Sequence, residues 1–156
     1  MSKNFFIFDL DETLYKFDDQ YQIKDTINKK ILEDIAKHGD IILFSNATYS
    51  HCLYWLQILD IKKFFSNIFS SDILENIKPN PLSYKQIVDL CGIKSIDNIY
   101  FFDDVPINLF SSYQEYKWNT YLINKNNNIE KNKSIWLKGQ YNNINSCLVD
   151  ILTKTT

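Results

Sequence analysis

The chain has 156 residues, of which 45% are apolar and 15% aromatic, and a net charge of −2. That is enough for one domain with a filled core, and a charge so nearly balanced gives no general affinity for nucleic acid. No apolar run reaches the ~20 residues of a membrane helix. The opening Met1-Ser2-Lys3-Asn4 leads straight into a strand-like run, with no hydrophobic signal segment before it, so a cytoplasmic protein is expected. Cys52, Cys91 and Cys147 are odd in number and widely spaced, which argues for partly buried thiols against a disulfide framework or zinc cluster. His38 and His51 lack metal-ligand spacing and read as helix-end or surface residues.

Asn4 to Phe8 is a short run of strand-favouring residues closed by Asp9, the pattern of a buried parallel strand. A loop follows through Tyr15 and Asp19. Ile23, Ile27, Ile31, Leu32 and Ile35 then recur at helical spacing, with Gly39 as the stop. Asp40 to Phe44 forms the second strand, ending at Ser45-Asn46. Tyr49 to Leu59 reads as a helix with Cys52, Leu53 and Leu56 on one face, and Phe64 to Phe69 ends in a short third strand. Ser70 to Asn80 is loop-like. Pro81 opens a helix at its first position and Gly92 closes it. Asn98 to Phe102 is the fourth strand, ending at Asp103-Asp104. Pro106 opens a helix to about Tyr116, and Thr120 to Ile123 is the fifth strand. Asn124 to Lys133 is polar and reads as a mobile loop, and Leu148, Ile151 and Leu152 mark a final helix packing back on the core.

Strands alternating with helices at this interval imply an α/β fold: three α/β/α layers, Rossmann-like, around a parallel sheet of about five strands. Residues 1–156 form one domain in this reading, with 124–156 as a polar loop and closing helix.

Ligands of such sheets bind at the carboxyl ends of the strands, and every strand end here delivers a polar group. The first gives Asp9, Asp11, Glu12 and Thr13, the second Ser45 and Asn46, the fourth Asp103 and Asp104, and the loop after the third brings Lys78. Crowded carboxylates repel one another. A hard divalent cation with oxygen ligands, Mg²⁺ by preference, removes the conflict and leaves room for a substrate phosphate. Carboxylates, a metal, a lysine and a hydroxyl together suit phosphoryl transfer. Taken singly, each of these residues reads as a cap, a turn or an exposed loop; it is their joint occurrence at one rim that carries weight.

The run Phe5-Phe6-Ile7-Phe8-Asp9-Leu10-Asp11-Glu12-Thr13-Leu14-Tyr15 resembles the first motif of haloacid dehalogenase-like (HAD) phosphohydrolases. Ile42-Leu43-Phe44-Ser45-Asn46, Ile77-Lys78-Pro79-Asn80-Pro81 and Phe101-Phe102-Asp103-Asp104 resemble the second, third and fourth motifs, in family order. The wording is most similar to pyrimidine 5′-nucleotidase-like enzymes, with Tyr84 and Asn108 in matching places but Val105 and Glu12 departing from the pattern. The resemblance implies a Mg²⁺-dependent phosphomonoesterase. In it Asp9 is the nucleophile, Asp11 the general acid and base, Ser45 a phosphoryl donor with Asn46 beside it on the substrate, and Lys78 the counter-charge. Asp9, Asp11 (through its carbonyl), Asp103 and Asp104 would hold the metal, with Asp104 the direct ligand from strand four and Thr13 and Asn108 in support. Glu12 is given no role.

Tyr15 to Gly39 and Ala47 to Ile77 are too short for a cap domain, so a capless member is expected, with an open site. The substrate would be a nucleotide-like small phosphate or an exposed phosphate on a macromolecule, nucleic acid included only as substrate, and self-association is left open. The competing readings are a phosphotransferase, a dehalogenase, a receiver-like signalling domain, and a catalytically degenerate binding module. Asp11 and the paired Asp103-Asp104 speak against the dehalogenase, the DxDxT pattern against the receiver, and the retention of Asp9, Asp11 and Lys78 against the degenerate module.

Overall fold

The computed structural model describes residues 1–124 and 135–155. Six parallel strands form the central sheet: β1 (Asn4–Phe8), β4 (Asp40–Phe44), β5 (Phe65–Phe69), β6 (Asn98–Asp103), β7 (Asn119–Ile123) and β8 (Gly139–Tyr141), in the order β5-β4-β1-β6-β7-β8. A hairpin of β2 (Lys16–Phe17) and β3 (Ile23–Lys24) stands apart as a two-stranded sheet. The helices are α1 (Lys29–Ala36), α2 (Tyr49–Ile58), α3 (Pro81–Cys91), α4 (Pro106–Tyr116) and α5 (Ile144–Thr155).

The period-2 alternation of β1 explains the three layers. Phe6 and Phe8 point to one face, where they join Leu32 and Ile35 of α1, Cys52 and Leu56 of α2, and Cys147 and Leu148 of α5. Phe5 and Ile7 point to the other, with Tyr84 and Ile87 of α3 and Leu109 of α4. Burial on both faces is why the strands read as continuous apolar runs. From β1 the chain moves outward to β4 and β5, then returns to β6 on the other side of β1 and continues to β7 and β8. The strand order therefore reverses at the β1/β6 pair, and the crevice beyond their carboxyl ends is the expected ligand site.

Local signals place the helices. The side chains of Asn28, Thr48 and Asn80 accept from the backbone N–H groups of Ile31, His51 and Leu82 and cap α1, α2 and α3. Pro81 and Pro106 open α3 and α4, and Gly92 closes α3 at φ 63°.

Three expectations need correction. The helix read from Ile23 onward begins only at Lys29; Ile23 lies in the hairpin, exposed, because Asn28 caps the helix after it. Gly39 does not stop that helix, which ends at Ala36. A Cβ at Gly39 would lie 2.2 Å from the Asn4 carbonyl oxygen, so the glycine serves close approach of the turn to β1. The sheet has six strands where about five are expected, since β8 is only three residues long and adds to the edge beyond β7. The mobile loop expected at Asn124 to Lys133 falls, apart from Asn124, outside the described residues. No large insertion interrupts the core among the described residues, and none of their helices is long and apolar enough to cross a membrane. Cys52 and Cys147 are buried and Cys91 half-buried, all as free thiols.

Candidate active site

Asp9 follows β1 directly, and its N–H donates to the Phe102 carbonyl of β6 at 2.9 Å, continuing the ladder by one residue. Asp103, the last residue of β6, thereby stands beside it at the point where strand order reverses. The Lys78 amine lies between the two carboxylates, 2.9 Å from Asp9 Oδ1 and 2.8 Å from Asp103 Oδ2, and also donates to the Phe44 carbonyl at 2.7 Å. Its approach is lined by the rings of Phe44 and Phe101, whose centroids are 4.9 and 5.8 Å from the nitrogen. Lys78 and Asp103 are fully sequestered from solvent, while Asp9 keeps a small opening.

Each partner is held in turn. Thr13 Oγ1 donates to Asp9 Oδ2 at 3.0 Å. Asp103 accepts from Val105 N–H on Oδ1 and from Asn108 Nδ2 on Oδ2, at 2.9 and 3.2 Å. Tyr84, wholly buried, donates to the Asn108 carbonyl at 2.6 Å and ties α3 to α4 beneath the site. Asn46 makes a reciprocal pair with the Lys78 backbone: its Nδ2 donates to the Lys78 carbonyl at 3.1 Å, and its Oδ1 accepts from the Lys78 N–H at 3.0 Å. The Asn46 amide thus fixes the loop that carries the lysine. Ser45 is buried at the end of β4, and its hydroxyl accepts from the Ala47 N–H at 3.0 Å.

Asp11 sits apart from the lysine. Its Oδ1 receives the Tyr15 hydroxyl in a short hydrogen bond and lies 2.8 Å from His51 Nε2. The Tyr15 hydroxyl donates to that same oxygen, so Oδ1 is an acceptor, and Nε2 is assigned as the donor of its pair with His51. Tyr15 is buried and stacks on Trp55 with centroids 3.9 Å apart. Burial, with Asp11 beside it, raises the Tyr15 pKa well above the usual phenol range.

One ligand atom from each of Asp9, Asp103 and Asp104 lies within 4.8 Å of the others. With protein charges alone this cluster is electrostatically unsatisfied. Burial and then Asp103 raise the Asp9 pKa to about 6, against the opposing pull of Lys78. Burial and then Asp9 push Asp104 up to about 9. Burial by itself would lower Lys78, but Asp103 and Asp9 outweigh it and hold the amine above the ordinary lysine range. One lysine cannot neutralise three carboxylates. Their all-oxygen donor set is what a hard divalent cation requires, and the residues present fit Mg²⁺.

The structure gathers Asp9, Lys78, Asp103, Asp104, Thr13 and Asn108 into one network and leaves the Asp11 side chain on a second one, with Tyr15 and His51. His51, which from sequence is a surface or helix-end residue, touches the site; its position six residues after Ser45, in the first turn of α2, is the only signal that could have found it. Glu12, given no role from sequence, has φ 64° and accepts from the Phe17 N–H at 3.3 Å, holding the hairpin to the loop. Lys16 is buried and donates to the Asn142 carbonyl at 2.8 Å, which binds the same hairpin to the segment before α5.

Residues 15–108 match the haloacid dehalogenase-like hydrolase family. No curated protein matches the chain. Among solved structures, a putative beta-phosphoglucomutase from Thermotoga maritima superposes with a TM-score of 0.76 at 14% identity, covering 100% of both chains. The core domain of a putative phosphoglycolate phosphatase from Streptococcus pneumoniae TIGR4 gives 0.64 at 17% identity, over 100% of this chain and 98% of that one. A predicted phosphoglycolate phosphatase from Haemophilus somnus 129PT gives 0.64 at 22% identity over 82% of this chain, which spans only 55% of that structure's length. These likenesses establish the fold. With the family match over more than half its length and an aspartate cluster suited to an aspartyl-phosphate mechanism on a phosphate ester, the chain belongs to the haloacid dehalogenase-like hydrolases.

Proposed function

We propose that this chain is a cytoplasmic, Mg²⁺-dependent phosphomonoesterase working as one domain over residues 1–156, with Asp9 as its nucleophile. The observation that carries the reading is the Lys78 amine between Asp9 and Asp103, with Asp104 completing a carboxylate cluster at the strand-reversal crevice. Lys78 and Thr13 each hold one oxygen of Asp9, which keeps the carboxylate oriented and its charge partly balanced for attack on phosphorus. Asp11 would protonate the leaving oxygen and then take a proton from water. Ser45 would offer its hydroxyl to a phosphoryl oxygen. Asn46, while bound to the Lys78 backbone, would border the substrate and keep the lysine in place. Asp9, the Asp11 carbonyl, Asp104 and, at one remove, Asp103 would hold Mg²⁺, with Asn108 supporting Asp103. Bound there, the cation supplies charge neutralisation for the phosphoryl oxygens.

The acidic cluster favours a phosphate ester over a haloacid as substrate. For the substrate class, the pyrimidine 5′-nucleotidase-like wording is supported by an aromatic surface beside the Asp11 loop, where Trp55 meets the exposed Phe17 and Tyr54 edge-on. Such a surface suits a nucleoside. An open site without a large cap also suits a phosphate carried on a macromolecule.

The test is phosphate release from p-nitrophenyl phosphate with and without Mg²⁺, comparing the intact protein with Asp9→Asn. Metal-dependent turnover that vanishes in the variant is expected. Undiminished activity in Asp9→Asn would remove the nucleophile and the mechanism together. A panel of nucleotides, sugar phosphates and phosphopeptides then separates the substrate classes.

A further inference from the structure

We propose that His51 and Tyr15 are the positioning residues of Asp11: they grip one of its oxygens, Oδ1, and so dedicate the other, Oδ2, to proton transfer. The proposal rests on the phosphomonoesterase reading and deepens it.

Asp9 and Asp103 are fixed by burial and by Lys78, but the Asp11 side chain is 41% exposed and has no contact with the lysine. Left to itself, so exposed a carboxylate would sample several orientations. A general acid must lie within hydrogen-bond reach of the leaving oxygen, and a misplacement of ~1 Å costs roughly 10²-fold in rate. What holds Asp11 is a matched pair of steps. Asp11 and Tyr15 are four residues apart in the loop after β1, and His51 and Trp55 are four apart on one face of α2. His51 bonds Asp11 while Trp55 stacks on Tyr15 with an interplanar angle of 14°, so one helix face seats both loop residues. The first turn of α2 is itself anchored: Thr48 caps it, and the Tyr49 N–H donates to Asp72 at 2.9 Å.

Both donors converge on Oδ1, and among the described residues none hydrogen-bonds Oδ2. This arrangement serves both halves of the reaction. In the first, an Asp9 oxygen bonds to phosphorus, the bond from phosphorus to the leaving oxygen breaks with its electron pair on that oxygen, and the proton on Asp11 Oδ2 passes to it. In the second, water bonds to phosphorus, its proton passes to Oδ2, and the bond from phosphorus to Asp9 breaks, releasing phosphate and the free carboxylate. Oδ1 accepts from Tyr15 and His51 whether Oδ2 carries a proton or not, so the carboxyl plane holds still through the cycle.

The experiment compares His51→Ala, His51→Gln and Tyr15→Phe with the intact protein across phosphate monoesters of differing leaving group, reading kcat/KM, which reports the first irreversible step. His51→Ala should lower kcat/KM for an alkyl phosphate roughly 10- to 50-fold, part of the ~10²–10⁴ supplied by acid catalysis, but for 2,4-dinitrophenyl phosphate less than about threefold, since that group departs without a proton. His51→Gln, whose amide can still donate, should regain most of the alkyl loss. Tyr15→Phe keeps the stack on Trp55 and should show the same leaving-group selectivity. In the metal-free protein, nitrogen NMR should show the His51 Nε2 signal moved by Asp11→Ala, as its contact with Asp11 Oδ1 requires. Equal losses for all leaving groups, no loss at all, or a folded His51→Gln as impaired as His51→Ala would overturn the clamp. Intact-protein turnover abolished by Asp9→Asn sustains the phosphatase reading in each of those cases; an intact protein without turnover overturns both.

Discussion

Replacing Lys78 by Met keeps the aliphatic stem over Phe44 and Phe101 and removes only the charge and its three hydrogen bonds. Asp9 and Asp103 are then left side by side with no cation between them. Removing one partner of a buried ion pair costs about 3–5 kcal/mol, because the remaining charge has lost its compensation, and Lys78 serves two carboxylates at once. Protonation of Asp9, already easier than for a free aspartate, offsets part of this, so about 3 kcal/mol is expected at neutral pH. For a chain of this size each kcal/mol moves the melting temperature by roughly 2–4 °C, so Lys78→Met should melt about 6–12 °C below the intact protein. The assay is thermal unfolding followed by circular dichroism in chelator at pH 7. Adding Asp103→Asn to Lys78→Met should recover part of the loss, since it removes one of the stranded charges, and the double-mutant cycle should give a coupling of roughly 1–3 kcal/mol. A Lys78→Met protein melting within about 2 °C of the intact one would refute the reasoning: the lysine would then contribute no more than an exposed ion pair.

Without metal, stability should fall as pH rises. Asp9 and Asp104 have folded pKa values raised above the ordinary carboxylate range, so between the unfolded and folded values the folded state binds more protons than the unfolded one, and each group's contribution is complete below pH ~4 and lost as pH climbs through its folded value. Melting temperatures in chelator should therefore decline through about pH 6 for Asp9 and on toward about pH 9 for Asp104. Mg²⁺ should raise them most at the alkaline end; a metal effect that grows toward acid would contradict this sign. Asn46→Ala removes two hydrogen bonds to the Lys78 backbone. It should cost about 1–3 kcal/mol in stability and lower kcat, and chemical denaturation together with steady-state kinetics would measure both.

Much of this protein is legible in its sequence, because the signals concerned are local. Pro81 and Pro106 set the starts of α3 and α4, Gly92 the end of α3, and the apolar runs of β1 and β4 their own bounds. A residue that ends a parallel strand lies at the carboxyl edge whatever else the chain does, so Asp9, Ser45 and Asp103 could be assigned to one rim from sequence alone. Tertiary structure decided which of those residues touch. Ile23 fits a helical period, yet a cap at Asn28 leaves it outside the helix. The sixth strand is three residues long, and nothing in its own sequence marks it as a partner of β7. Asn46 bonds a backbone 32 residues away, and His51 meets Asp11 across 40. Contacts of that range depend on how α2 is seated on the sheet and on the geometry of the β1/β6 crevice. Sequence periodicity carries the orientation of a side chain on its own element; it does not carry the distance between two elements, and that distance is what turns a rim of acidic residues into a site.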